Sequence, residues 1–520
     1  MPTTSPSISR APLPLVLALG MLASCVDPPA TGETDTEGSS DETTTVTTPG
    51  TTTATGTTTA TGTATSTTTD PDSSTGSDES DSSTSTTGEP ACTPGDPACT
   101  NLLDLVFVID NSGTMGEEQR NLARSLPLFV EQLRGLTTAG GTPLDLDVRV
   151  MVTTTDMDNP YCSPFQPPGY SPAMGEPIST PCTDRLEDFT NLSGTVSIPE
   201  ACTDTCPLGA APADPYVAFD AEGSNVPGMP IDIDGDGVLD SPAAQALACI
   251  GPQGLNGCGY ESPLENMLQA LNPQASWNSG SQPFLRDGAL LAVAVVTDEA
   301  DCSVKDYTIM QNPAFQEINP DTGMAAASSA ICWNAGVTCN GPDAMGVYSS
   351  CTSQAAENLQ PISRYTNYLI NELRNNQGKE VIMLGILGVP LVTARNPDPP
   401  YQPTDGGVFD LEYRNWRDGV YDGTPGGGDI LPDEFMMGET AADKQFDFGI
   451  GPGCTGQDSM GAFTGQAIPP VRIKEVCESL NLGPEPSDTR CCIESICDED
   501  FSPAIRCLTG IIQESIQLPG

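Results

Sequence analysis

Three stretches of the chain are almost continuously apolar: Leu102 to Ile109, Ala289 to Val296 and Val381 to Val389, each bounded by turn residues. Short runs of this kind fit strands covered on both faces, as in a parallel sheet. A fourth stretch alternates instead. Leu146, Val148, Val150 and Val152 are interleaved with Asp145, Asp147 and Arg149, which is the pattern of a half-exposed strand nearer a sheet edge. Between the strands the period becomes helical. Leu122, Leu126, Phe129 and Leu133 repeat at helix spacing between Glu117 and Arg134, and Pro127 is expected to kink this helix or break its bonding. Leu264 to Leu271, Gln354 to Asn375 and Pro503 to Ile516 are further helix candidates. Alternation of strands and helices predicts an α/β domain with an open, doubly wound, mostly parallel sheet.

Two regions interrupt that pattern. Residues 157–258 hold Cys162, Cys182, Cys202, Cys206, Cys249 and Cys258 among many Pro and Gly, and read as a disulfide-held insertion. Residues 396–520 begin loop-rich and then carry Cys454, Cys477, Cys491, Cys492, Cys497 and Cys507. They read as a Cys-rich extension that completes the domain spanning 101–395. The neighbours Cys491 and Cys492 are expected to bond to different partners, because a bridge between adjacent residues is strained. Cys202 and Cys206 have a spacing that zinc ligands also use, but an exported chain favours disulfides.

The start of the chain has another character. Residues 1–24 carry one charge, Arg10, then the apolar run Leu13 to Leu22, and end in small residues; this reads as a secretory signal. The run is about half of the roughly 20 residues a transmembrane helix needs. From Thr31 to Pro90 the chain is dominated by Thr, Ser, Gly, Asp and Glu, with no Lys, Arg or aromatic residue. Such a segment buries too little apolar surface to offset its ordering entropy, so 25–98 is expected to be a disordered linker. As a flexible coil it would reach roughly 40 to 50 Å.

Composition narrows the chemistry. Asp and Glu number 70, Lys and Arg 19 and His none, for a formal charge of −51. Nucleic-acid binding requires basic patches and is excluded as the expected role. Without histidine there is no Ser/His/Asp or Cys/His nucleophilic site and no imidazole zinc site. Oxygen-ligand chemistry remains, and it suits hard divalent cations. The candidate ligands follow an apolar strand: Asp110, Ser112 and Thr114 stand at alternate positions in Val106-Phe107-Val108-Ile109-Asp110-Asn111-Ser112-Gly113-Thr114-Met115. At the carboxyl end of a parallel strand such a turn projects a carboxylate and two hydroxyls into a common crevice. A second apolar strand ends in Thr297-Asp298-Glu299, and adjacent strand ends would set Asp298 opposite Asp110. The plain alternative is that the first motif is only a helix N-cap and turn.

These two motifs resemble the von Willebrand factor type A domain and its metal-ion-dependent adhesion site, over roughly 101–390 around the insertion. The resemblance implies a Rossmann-like fold and a Mg²⁺ ion, or Mn²⁺ or Ca²⁺. Ser112 and Thr114 would bind it directly, Asp110 and Asp298 partly through water. A carboxylate from a protein partner would complete the shell, in adhesion or complex assembly and not catalysis. One departure stands out. The family pattern has a threonine on a middle loop; here Asn256-Gly257-Cys258-Gly259-Tyr260-Glu261-Ser262-Pro263 puts Glu261 in its place. Either Glu261 is a ligand, or Ser262 supplies the hydroxyl and Glu261 points away.

Two further resemblances bear on location and on a second ion. Leu22-Ala23-Ser24-Cys25 is similar to the bacterial lipoprotein box, which implies a lipidated Cys25 and a membrane-anchored protein of the cell envelope, at the outer membrane or cell surface. Setting Cys25 aside leaves an even eighteen cysteines. The stretch from Asp232 to Asp240 resembles Asp-rich calcium loops. Asp232, Asp234, Asp236 and Asp240 fall at positions 1, 3, 5 and 9, Gly237 follows Asp236, and Val238 offers a backbone carbonyl at position 7. Position 12 is Ala243, so the bidentate glutamate is missing and Ca²⁺ affinity of about 10⁻⁴ to 10⁻³ M, as in extracellular modules, is expected. The functional expectation is a lipid-anchored module that binds a protein partner through a divalent cation. A structural envelope lipoprotein with stabilising metal sites is the alternative. A metal-dependent hydrolase is disfavoured, because no histidine serves as base and no two-metal motif is evident.

Overall fold

Apolar runs become neighbouring strands. In the computed structural model, β1 (Leu102–Ile109), β2 (Asp147–Thr154), β3 (Val217–Phe219), β4 (Leu290–Val296), β5 (Val381–Leu387) and β6 (Cys491–Ser495) form a six-stranded sheet in the order β6-β5-β4-β1-β2-β3. All neighbours are parallel except β3, which runs antiparallel to β2 at one edge. The structure describes residues 100–516 apart from 139, 195, 355–357, 390–410, 412, 417–439 and 458–462. The expected signal, the lipidated Cys25 and the linker lie outside the described residues.

Side chains of β1 alternate between two cores, as the pleat requires. Leu103, Leu105, Phe107 and Ile109 pack on one face against α1 (Gly116–Gly135), α2 (Pro242–Ile250) and α6 (Ser502–Ser515). Val106 and Val108 pack on the other against α3 (Pro263–Ala270), α4 (Ile362–Thr366, continued as a π-helix through Asn376) and α5 (Val471–Glu478). Coverage of both faces explains why the strands read as continuous apolar runs. No helix among the described residues is long and apolar enough to cross a membrane.

Pro127 does not break α1, which runs unbroken for 20 residues. Burial of Leu126, Phe129 and Val130 on either side of the proline holds the helical path. The region expected as an insertion also does more than decorate the fold: 157–258 supplies β3 and α2, and α2 packs on the sheet. The Cys-rich region supplies β6, α5 and α6.

The 16 cysteines among the described residues pair as eight disulfides. Cys491 bonds Cys477 and Cys492 bonds Cys507, so the adjacent pair does separate. Cys202 bonds Cys182 and Cys206 bonds Cys249, which leaves neither thiolate for zinc. Cys162–Cys258 closes a sequence separation of 96 residues; in the chain-entropy model a loop of that size is worth on the order of 4–5 kcal/mol. Two carboxyl groups are buried in the sheet, Glu494 in β6 and Asp104 in β1. Asp104 is fully buried in β1, and Arg286 donates to it from Nε at 2.7 Å and from its backbone N–H at 2.7 Å.

Candidate metal centre

The parallel register brings three strand ends into line. Ile109 is paired with Thr154 on one side and Val296 on the other, so Asp110, Thr155 and Thr297 emerge in one row. The backbone N–H of Asp110 donates to the Val296 carbonyl at 2.9 Å and closes the β1–β4 junction. This is where strand order reverses, and in an open α/β sheet that point forms a crevice.

At the first motif the Asp110 carboxylate is occupied on both oxygens. Oδ1 accepts from the Ser112 N–H at 2.8 Å and Oδ2 from the Thr297 hydroxyl at 2.5 Å. The hydroxyl oxygens of Ser112 and Thr114 stand 3.2 Å apart. That separation fits adjacent corners of an octahedron with metal–oxygen bonds of about 2.1 to 2.3 Å. The Thr114 hydroxyl also acts on the Asp298 carboxyl, pulling against the upward push of burial. Asp110, Ser112 and Asp298 are buried, whereas Gly113 and Thr114 are exposed, so the cluster meets solvent at that turn.

Glu261 points inward. It is fully buried, accepts from the Thr155 hydroxyl through Oε2 and contacts Asp110. Ser262 turns away, its hydroxyl donating to the Cys302 carbonyl at 3.0 Å. The loop carrying Glu261 closes on the first motif through Gly257, whose N–H donates to the Asn111 carbonyl at 2.8 Å. A Cβ there would lie 2.2 Å from Asn111 Oδ1, so only glycine fits this approach.

Two more carboxylates belong to the cluster and were not singled out from the sequence. Glu118 lies in the first turn of α1, and Glu299 follows Asp298; Asp298 is the strongest neighbouring charge on both. Burial is the largest influence on Asp110, Asp298, Glu118, Glu261 and Glu299, and it holds each above the ordinary carboxylate range. Mutual repulsion adds to it at Asp298, Glu118, Glu261 and Glu299. Hydroxyls of Thr297, Thr114, Thr155 and Ser329 pull the other way. Among the described residues, no arginine or lysine is a leading influence on these five groups. Asp298 Oδ1, Glu261 Oε1 and Glu118 Oε2 are buried and accept no hydrogen bond. Orphaned acceptors of this kind cost free energy unless a cation or a proton meets them. The donor set is hard oxygen throughout, which fits Mg²⁺, Mn²⁺ or Ca²⁺.

The Asp-rich loop is a second, separate arrangement. Ile231 and Asp240 pair in both directions and close it at its base. Carboxylate oxygens of Asp232, Asp234 and Asp240 lie within 4.8 Å of one another; Asp236 stands outside that group and accepts from the Val238 N–H at 2.6 Å. Asp232 accepts from the Gly235 and Gly237 N–H groups at 2.7 and 3.0 Å. Asp232, Asp234, Asp236 and Val238 are exposed, Asp240 is buried, and the loop runs directly into Ser241, the N-cap of α2.

No protein-family model matches the chain, and no curated protein matches it. Identity therefore rests on the residues themselves.

Proposed function

We propose that this chain is a lipid-anchored protein of the bacterial cell envelope whose α/β head resembles a von Willebrand type A domain and binds a protein partner through a divalent cation. The anchor is Cys25 and the spacer is the linker through residue 98. Ser112 and Thr114 hold the ion directly, Asp110 and Asp298 hold it partly through water, and Glu261 takes the place of the family's threonine. A carboxylate of the partner fills the position that faces the exposed Gly113–Thr114 turn. The mostly parallel sheet, in which the strands bearing the two motifs, β1 and β4, are neighbours, supports the family reading. The observation that carries the metal is the group of orphaned, buried carboxylate oxygens at Asp298 and Glu261, with no basic side chain of the described residues among the leading influences on them. A bound cation supplies the charge these oxygens lack and an open coordination position for the partner.

The test is metal binding and partner capture by wild type and Asp110→Ala, each with and without chelator. Cation-dependent capture that Asp110→Ala abolishes, with the head still folded, supports adhesion. Capture that persists in the variant refutes it. Burial of Asp110, Ser112, Asp298 and Glu261 favours a second reading, a structural envelope lipoprotein in which the ion only locks the strand ends together; there the ion would raise stability and no partner would depend on it. The Asp-rich loop is assigned a weaker Ca²⁺ site, with Asp232, Asp234, Asp236, Asp240 and the Val238 carbonyl as its donors, which orders the segment leading into α2.

A further inference from the structure

Asp156 follows Thr155 just past the end of β2 and is fully buried, although it is not one of the candidate ligands. Four uncharged donors meet its carboxylate. Oδ1 accepts from the Asp158 N–H at 2.9 Å, and Oδ2 accepts from Gln166 Nε2 at 2.9 Å, the Tyr170 hydroxyl at 3.0 Å and the Cys258 N–H at 3.1 Å. A carboxylate offers about four lone-pair sites, so this one is filled and keeps none for an ion. The donors come from different segments. Gln166 and Tyr170 belong to the loop after β2, and Gly169, at φ +95°, turns that loop so that Tyr170 reaches back to Asp156. Cys258 belongs to the loop that carries Glu261. Tyr170 in turn accepts from Asn111 Nδ2 at 2.9 Å, and Asn111 stands between Asp110 and Ser112. Two ligand-bearing loops therefore hang on one carboxylate, the first through Tyr170 and Asn111, the second through Cys258.

We propose that Asp156 and Tyr170 are positioning residues of the metal centre, holding the Asp110–Ser112 turn and the Glu261 loop at the separation that lets both bind one cation. The inference rests on the cation reading of that site. The Cys162–Cys258 bridge already ties the loop after β2 to the Glu261 loop. The Tyr170 hydroxyl thus matters more for where Asn111 lies than for keeping the chain folded. Groups that orient metal ligands typically cost about 10- to 100-fold in affinity when they are lost. Mg²⁺ demands near-ideal octahedral geometry whereas Ca²⁺ accepts irregular shells, so a displaced turn penalises Mg²⁺ more.

The test is calorimetric titration of the full chain with Mg²⁺ and with Ca²⁺, following the binding event that Asp110→Ala removes. Wild type is compared with Tyr170→Phe, which keeps the ring and loses the hydroxyl, and with Tyr307→Phe as control. The Tyr307 hydroxyl donates to the Met157 carbonyl at 2.8 Å, on the same loop but not to Asp156. Tyr170→Phe is expected to weaken Mg²⁺ binding about tenfold or more and Ca²⁺ binding by less, with a metal-free melting temperature close to that of Tyr307→Phe. Tyr307→Phe should bind both ions as wild type does. Asp156→Asn, which sets an amide against donors, should reproduce the loss, and Tyr170→Phe decides the matter if Asp156→Asn fails to fold. Unchanged affinity in Tyr170→Phe, a loss equal for both ions, or a loss that Tyr307→Phe shares overturns the positioning role and leaves the cation reading intact. A wild type that shows no Asp110-dependent event with either ion overturns the cation reading, and the positioning role with it.

Discussion

The strand-end cluster and the Asp-rich loop contain similar chemistry in opposite settings. In the loop, four aspartates within nine consecutive residues are satisfied by neighbouring N–H groups, and three of them are exposed. In the cluster, five carboxylates come from four separate segments, and burial is the leading influence on every one. Water screens the repulsion in the loop, while the cluster sets hydroxyls and the Ser112 N–H against it and leaves oxygens of Asp298, Glu261 and Glu118 orphaned. On the proposed reading, a cation adds little to the loop and offsets the repulsion within the cluster.

The largest expected effect is the response to metal. Divalent cation at about 100 times its dissociation constant should stabilise the head by about 2.7 kcal/mol through the cluster, read as a rise in denaturation midpoint, and Asp110→Ala should remove that gain. A midpoint indifferent to both Mg²⁺ and Ca²⁺ would erase the contrast between the two regions.

The pH dependence comes next. A carboxylate whose folded pKa is raised favours the folded state when protonated, so its contribution is fully present below the unfolded value of 3.8 and is lost as pH climbs towards the folded value, about 8 for Asp298. Thermal melts in chelator should therefore fall across that window, and saturating cation should flatten the fall. An apo protein that instead gains stability from pH 4 to 8 would contradict the cluster's electrostatics.

Neutralising one member sharpens the comparison further. Asp298→Asn should stabilise the metal-free head by about 1 kcal/mol at neutral pH, since it removes the cost of burying or protonating that carboxyl, and should weaken metal binding in the same preparation. Chemical denaturation with and without cation resolves the two signs. The smallest effect belongs to the loop. Asp234→Asn should change stability by less than about 0.5 kcal/mol without calcium, yet remove protection of the loop from proteolysis at millimolar Ca²⁺. A loss comparable with Asp298 substitutions would mean the loop is not the locally satisfied turn its hydrogen bonds describe.

Legibility in the sequence followed the same division. β1, β4 and β5 were visible because strands buried on both faces must be apolar throughout. β3, only Val217–Phe219, is too short for any period to register, and β6 reads Cys-Cys-Ile-Glu-Ser, which looks like a disulfide segment. Asp110, Ser112 and Thr114 were recognisable because they sit together after a strand. Glu118 and Glu299 were not, since an acidic residue in a first helical turn or after a strand ordinarily faces water. Thr155 gave no signal either; its role follows only from its place in register beside Asp110.

By itself the sequence determined the local matters: which segments are apolar enough to be strands, where a turn would present oxygens, and that Asp232 to Asp240 forms a tight acidic loop, because these depend on neighbours within a few residues. Tertiary structure decided which carboxylates share one buried space, whether Glu261 or Ser262 faces it, and which cysteines pair. Those outcomes depend on parallel strands joined by long connections, and strand order and register, not sequence distance, set what meets across them.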